Sequence, residues 1–175
     1  MKTLIINGSP RNNGNTQRLV SMLTQELKGE QKIINAYKSD ISPCIDCRYC
    51  FKQNGCSITD DMQEIYKYIG ECDNIVIASP VYFSGLTPPI VSIGSRLQTL
   101  YCGRTFRREQ FTDKLKKGAV ILTRDGDGEP DMAIRAARIF LRQMYCSDIL
   151  KEEIFCGEGS DDAMRIKKTA DLLNK

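Results

Sequence analysis

A chain of 175 residues that is 41% hydrophobic has the length and the apolar content for one domain, and a single unit over residues 1–175 is expected. The net charge of +3 does not point to nucleic acid, no apolar run reaches the ~18 residues of a membrane span, and no basic segment followed by an apolar one opens the chain, so a cytoplasmic protein is expected. Histidine is absent, which excludes imidazole as base, nucleophile or metal ligand, while eight cysteines without a secretion signal point to metal or redox chemistry rather than structural disulfides.

Residues 2–7 read as a buried strand and 15–28 as a helix with Leu19, Val20, Leu23 and Leu27 on one face. Between them runs Gly8-Ser9-Pro10-Arg11-Asn12-Asn13-Gly14-Asn15-Thr16. A slim loop entering a helix lets an anion approach amides that have no intrahelical partner, with the helix dipole favouring negative charge. Ser9, Asn13, Asn15 and Thr16 add polar side chains and Arg11 a charge; the alternative is that Ser9, Asn13 and Asn15 only cap the helix. The loop lacks the Gly-Lys-Ser/Thr ending of a Walker loop and the GxGxxG spacing of a dinucleotide fold.

Residues 32–37 read as a second, less apolar strand suited to a sheet edge, and 40–58 as an irregular, cysteine-rich insert. Thr59 is expected to cap a helix carrying Met62, Ile65, Tyr66 and Ile69. Residues 74–79 form a continuous apolar strand, hence a central one. It empties into Pro80-Val81-Tyr82-Phe83-Ser84-Gly85, where Tyr82 and Phe83 offer flat faces and Ser84 and Gly85 unencumbered amides; aromatics that merely plug the end of the sheet are the other reading. Pro88-Pro89 opens a helix to about Leu100, and 101–117 is basic and poorly patterned, read as a solvated face, the alternative being a lid that receives a phosphate or an acidic partner. Residues 118–123 form a further strand, followed by a loop at 124–128 in which Arg124 either stabilises negative charge on a ligand or pairs with Asp125 or Asp127. A helix after Pro130 carries Ala133, Ala137, Phe140 and Met144; a last strand lies within 148–156, and Ser160 caps a helix with Ala163, Ile166, Ala170 and Leu173. Alternating strands and helices favour a doubly wound α/β fold: a five-stranded parallel sheet in order 2-1-3-4-5, as a three-layer sandwich with the Cys-rich insert after strand 2. That order gathers loops 8–15, 80–87 and 124–128 at one crevice.

Cys44, Cys47, Cys50 and Cys56 give the spacing C-x2-C-x2-C-x5-C. Four thiolates this compact suit a [4Fe–4S] cluster; zinc more often takes separated pairs, and metal-free thiols are the third reading. Cys72, Cys102, Cys146 and Cys156 are isolated and expected to be small buried hydrophobes.

The stretches Gly8-Ser9-Pro10-Arg11-x-x-Gly14-Asn15-Thr16 and Ser79-Pro80-Val81-Tyr82 together resemble the two flavin loops of the NAD(P)H-dependent FMN reductase family, and the cysteine motif resembles its iron–sulfur flavoprotein branch. The resemblance implies a flavodoxin-like fold and FMN, with the phosphate on Ser9, Arg11, Asn13, Asn15 and Thr16, the ring on Pro80, Val81, Tyr82, Phe83, Ser84 and Gly85, and Arg124 near it. It implies an oxidoreductase whose reactive centre is flavin N5 rather than a side chain, with NAD(P)H as reductant and a quinone or flavin as small acceptor. A ferredoxin-like carrier is a further partner, and the assembly is a homodimer or higher oligomer. The alternatives are an iron–sulfur electron-transfer module without a substrate site, or a thiol or zinc redox switch. Members often carry a lysine and then an Asp-Arg pair where this chain has Ser95-Arg96, and relatives tend to have glycine where it has Asp46.

Overall fold

The computed structural model describes residues 1–126 and 129–175. Its element order is β1 (Lys2–Asn7), α1 (Asn15–Glu26), β2 (Glu30–Asn35), α2 (Tyr49–Lys52), α3 (Met62–Glu71), β3 (Asn74–Pro80), α4 (Pro88–Arg96), α5 (Gln98–Cys102), β4 (Lys116–Arg124), α6 (Asp131–Gln143), β5 (Cys146–Ile149), β6 (Glu153–Cys156) and α7 (Asp162–Leu173). All pairings in the sheet are parallel, in order β2-β1-β3-β4-β5, with β6 also on β4.

Side chains of the central strands alternate between two cores, as the two-residue period of a strand requires. Leu4 and Ile6, Ile75 and Ile77, Val120 and Leu122 face the layer built from α3, α4, α5 and α6. Ile5, Val76, Ala78, Ala119 and Ile121 face α1 and α7, where Leu19, Val20, Leu23, Ile166, Ala170 and Leu173 close the second core. Helices on both faces explain why β1, β3 and β4 read as unbroken apolar runs, whereas β2, paired on one side only, is half exposed. No helix among the described residues is long and apolar enough to cross a membrane.

The sheet departs from the expected five strands at its far edge. The last strand is two pieces: β5 pairs with the start of β4 at Lys116 to Gly118, and β6 with its end at Ile121 to Arg124. The helix expected from Pro88 to Leu100 ends at Arg96, restarts as α5 and continues into a π-helical turn at Gly103–Arg107, so the stretch after 101 is more ordered than its composition suggests. At the start of α3 it is Asp60, not Thr59, whose Oδ1 accepts from the Met62 amide (3.1 Å). In α6 Leu141 is buried while Phe140 is only partly so, and in α7 Ala163 is exposed while Asp162 and Thr169 turn inward. Lys116 is buried, so the basic stretch is not wholly a solvated face.

Candidate functional site

At the carboxyl ends of β1, β3 and β4 three loops meet around a cleft of about 150 Å³. Ser9, Arg11, Asn15, Thr16, Pro80, Val81, Tyr82 and Arg124 of the expected residues line it, together with Pro10, Gly14, Thr123 and Asp125. Asn13 and Phe83 are exposed and outside the lining, and the half-buried Ser84 and Gly85 lie outside it too; of the loop at 124–128, Asp127 and Gly128 fall outside the described residues.

The first loop is held from within. Asn7, buried at the end of β1, accepts the Ser9 amide on Oδ1 (3.0 Å), and its own amide group donates to Gln17 (2.7 Å). The Ser9 hydroxyl accepts the Arg11 amide (3.2 Å) and donates to the Arg11 carbonyl (3.1 Å). Gly8 donates to the Ala78 carbonyl (2.8 Å), and a Cβ there would lie 2.6 Å from Ile90 Cγ1 and 2.7 Å from Thr87 Oγ1, so only glycine lets the loop sit against α4. Gly14 is the N-cap of α1, with no side-chain cap bond, which sets aside the reading in which Ser9, Asn13 and Asn15 serve as caps. The first amides of α1 therefore keep their donors, in the arrangement that receives an anion.

The second loop is a tight two-residue turn. Tyr82 and Gly85 exchange both backbone bonds (3.0 and 2.9 Å), and Phe83 and Ser84 both sit in the left-handed region at φ 50° and 63°. Such turns normally carry Asn-Gly; here two side-chain-bearing residues adopt the conformation. The Gly85 amide, expected to be unencumbered, is consumed by the turn, leaving Phe83 and Ser84 to present their amides outside that bonded pair. Phe83 is fully exposed. Tyr37, just beyond β2, has Tyr82 as a neighbour, and burial first, then that neighbour, raises its phenol pKa. Nothing in the sequence around Tyr37 signals this; it follows from the sheet order, which sets the end of β2 beside β1.

In the third loop Thr123 Oγ1 lies 2.7 Å from Thr16 Oγ1, and Arg124 Nε donates to Cys156 Sγ (3.2 Å). Cys156 is exposed, unlike Cys72, Cys102 and Cys146, because β6 ends beside Arg124 at the open edge. Thr123 and Cys156 were hidden in the sequence for one reason: both depend on which strands neighbour β4.

The insert places Cys44, Cys47, Cys50 and Cys56 around one cavity, with Ile58, Arg96, Gln98 and Thr99 completing much of its wall. Among the described residues no three His, Cys, Asp or Glu converge closely enough to share a single ion. The chain turns through left-handed backbone at Asp46 (φ 50°) and Arg48 (φ 59°), a geometry natural to glycine that explains the expected preference for it at 46. Cys47 Sγ lies 3.1 Å from Ser57 Oγ, and that hydroxyl, with the Tyr49 amide, lowers its thiol pKa. Burial and the neighbouring Cys102 push Cys50 up to about 12. The Cys44 amide donates to Ser95 Oγ of α4 (3.0 Å), and Arg107 donates to the Cys50 carbonyl. The wall of this cavity includes the buried Arg96 guanidinium, which is paired with the Asp60 carboxylate.

Over 112 residues the chain is 35% identical to an iron–sulfur flavoprotein of Methanocaldococcus jannaschii, covering 62% of this chain and 58% of that protein. It is 31% identical over 124 residues to an iron–sulfur flavoprotein of Methanosarcina thermophila, covering 69% of this chain and 62% of that one. The chain thus spans about three fifths of the length of these curated relatives. A solved NAD(P)H:quinone oxidoreductase from Methanothermobacter marburgensis shares the fold with a TM-score of 0.74 at 17% identity, covering 100% of this chain and 96% of that chain. With the model of that family matching residues 1–153, the loops and the sheet order find their common explanation: the chain belongs to the NADPH-dependent FMN reductase family.

Proposed function

We propose that the protein is an FMN-dependent oxidoreductase that takes electrons from NAD(P)H and delivers them to a small acceptor such as a quinone or a flavin. The observation that carries this reading is the cleft itself: uncapped amides of α1, the Ser9 loop and the Tyr82 turn face one another at the carboxyl edge of a parallel sheet, where such folds bind ligands. FMN would supply hydride chemistry at N5, so no protein acid or base is required. In this reading the phosphate lies on the α1 amides with Ser9, Arg11, Asn15 and Thr16, and Asn13 stands at the rim. The ring rests on Pro80 to Gly85: Tyr82 offers its face, Phe83 and Ser84 their amides, and Arg124 a charge that favours the reduced, anionic form.

The cysteine cavity favours a second component. In this reading Cys44, Cys47, Cys50 and Cys56 hold a [4Fe–4S] cluster, which would exchange single electrons with the flavin; four cysteines lining one cavity are the ligand set such a cluster takes. It also keeps open the reading of a relay between a ferredoxin-like carrier and another protein, in a homodimer or larger assembly.

An ultraviolet–visible spectrum of protein purified without oxygen, with iron, sulfide and zinc assayed on the same sample, tests both components. Flavin bands with turnover of NAD(P)H and quinone support the reductase; flavin bands and iron without such turnover support the relay. Absence of flavin even after FMN is added sinks the central reading, and zinc in place of iron makes the insert a redox switch.

A further inference from the structure

Arg96 is the last residue of α4 and is 1% exposed. Its Nη1 donates to the Ser42 carbonyl (2.9 Å) and Asp60 Oδ2 (2.6 Å), and its Nη2 to the Ile58 carbonyl (3.0 Å) and Asp60 Oδ1 (3.2 Å). Ser42 and Ile58 lie on either side of the four cysteines in the chain, so one guanidinium closes the base of the insert. The Tyr66 hydroxyl donates to the Arg96 carbonyl (2.7 Å) and fixes the helix end that carries it.

Bracing accounts for four of these bonds and leaves one group unexplained. Among the described residues, Arg96 Nε is a buried donor without a hydrogen-bond partner, on a side chain that lines the same cavity as the four cysteines. The other such donor, Arg18 Nε, has the Glu158 carboxylate 3.8 Å away. An unpaired buried donor costs about 1–3 kcal/mol, a cost removed when an acceptor occupies the cavity. A group held by four thiolates is an anionic acceptor, and a fixed cation beside it favours the state carrying one more electron.

We propose that Arg96 is a positioning residue of the cysteine cavity: its Nε–H donates to a sulfur of the anionic group held there, and its charge raises that group's reduction potential, making it easier to reduce. The inference rests on the reading of Cys44, Cys47, Cys50 and Cys56 as cluster ligands. The step it modulates is the uptake of one electron by the cluster, with a reduced flavin (or dithionite in the test) oxidised by one electron and no bond of the protein made or broken. Asp60 moderates the effect, because its carboxylate offsets part of the Arg96 charge.

The test uses the full chain with FMN, loaded anaerobically with iron and sulfide, as wild type, Arg96→Gln, Arg96→Lys and Asp60→Asn. Iron and sulfide per chain are measured, and the midpoint potential is read from the electron paramagnetic resonance of the reduced cluster during a redox titration. The potential is expected to fall in Arg96→Gln, to fall less in Arg96→Lys, and to rise in Asp60→Asn, which keeps the guanidinium and removes its counter-charge. If Arg96→Gln does not retain iron, the rise in Asp60→Asn decides. Unchanged potentials in the variants that retain iron overturn the proposal, and so does loss of iron from all three, the mark of a brace and nothing more. Wild type without iron or sulfide overturns the cluster reading, and this inference with it; that failure is visible before any variant is made.

Discussion

The hydroxyls of Thr16 and Thr123 meet at 2.7 Å, tying the first turn of α1 to the end of β4 across 107 positions of the chain. Both residues are buried beneath the cleft, so the contact fixes the distance between the loop that opens α1 and the loop that follows β4. Thr16→Val leaves the Thr123 hydroxyl without this partner and is expected to lower stability by about 1–3 kcal/mol; adding Thr123→Val removes the orphan and recovers part of the loss. Urea unfolding of both single variants and the double variant reads the coupling, and FMN titration of the same proteins should show weaker binding in each.

The turn at Phe83 and Ser84 holds two non-glycine residues in left-handed backbone. Each such residue costs roughly 1–2 kcal/mol, and persistent strain of this kind points to use. Replacing the pair by the sequence native to such turns, Phe83→Asn with Ser84→Gly, is expected to raise the unfolding midpoint by a few degrees while weakening FMN binding. Tighter binding with higher stability would show that the strain serves no ligand.

Asp162 anchors α7 to α1 through Arg18, with its Oδ2 also accepting the Gly159 amide (3.1 Å). Burial alone would raise its pKa, but the hydrogen bonds from Arg18 and Gly159 and the charges of Arg18 and Arg165 outweigh it and lower the pKa. A carboxyl lowered in the folded state contributes stability that is full above the unfolded value of about 3.9 and is lost as pH falls from there through the folded value. Asp162→Asn is therefore expected to cost about 1.5–3 kcal/mol at neutral pH and to flatten the loss of stability below pH ~4. Acid titrations of both proteins, followed by circular dichroism, check the difference.

Thiol reactivity in the metal-free protein should be uneven across the insert. Cys47 is exposed with its thiol pKa lowered beside Ser57, whereas Cys50 is pushed up to about 12. Since the thiolate is the nucleophile, iodoacetamide at neutral pH is expected to label Cys47 well before Cys50. Ser57→Ala should slow labelling of Cys47 several-fold and leave Cys50 unchanged, as read by peptide mass spectrometry over time.

What could be read in advance was whatever depends on local pattern. Apolar runs marked β1, β3 and β4, helical spacing marked the buried face of α1, and their alternation implied the sheet order and therefore the meeting of the Ser9 and Tyr82 loops. What stayed hidden depends on partners distant in sequence. Thr59 and Asp60 are both good cap residues, but Asp61 is the N-cap of α3, and the Arg96 side chain and the Ser42 amide fix the Asp60 carboxylate where it also accepts the Met62 amide. By its residue type Gly85 offers the free amide, but the paired bonds with Tyr82 consume it. Lys116 and Cys156 exchanged their expected burial, since β4 begins under the core and β6 ends at its open edge.

Helix α4 touches both sites: Thr87, its N-cap, donates to the Gly8 carbonyl (3.1 Å), while Ser95 near its other end accepts the Cys44 amide (3.0 Å). Nine residues at about 1.5 Å each make a strut of roughly 13 Å. The separation of the Gly8 loop from the cysteine cavity is thus set by the pitch of a helix. One residue inserted in the strut would swing its far end by about 100° and part the two sites at once.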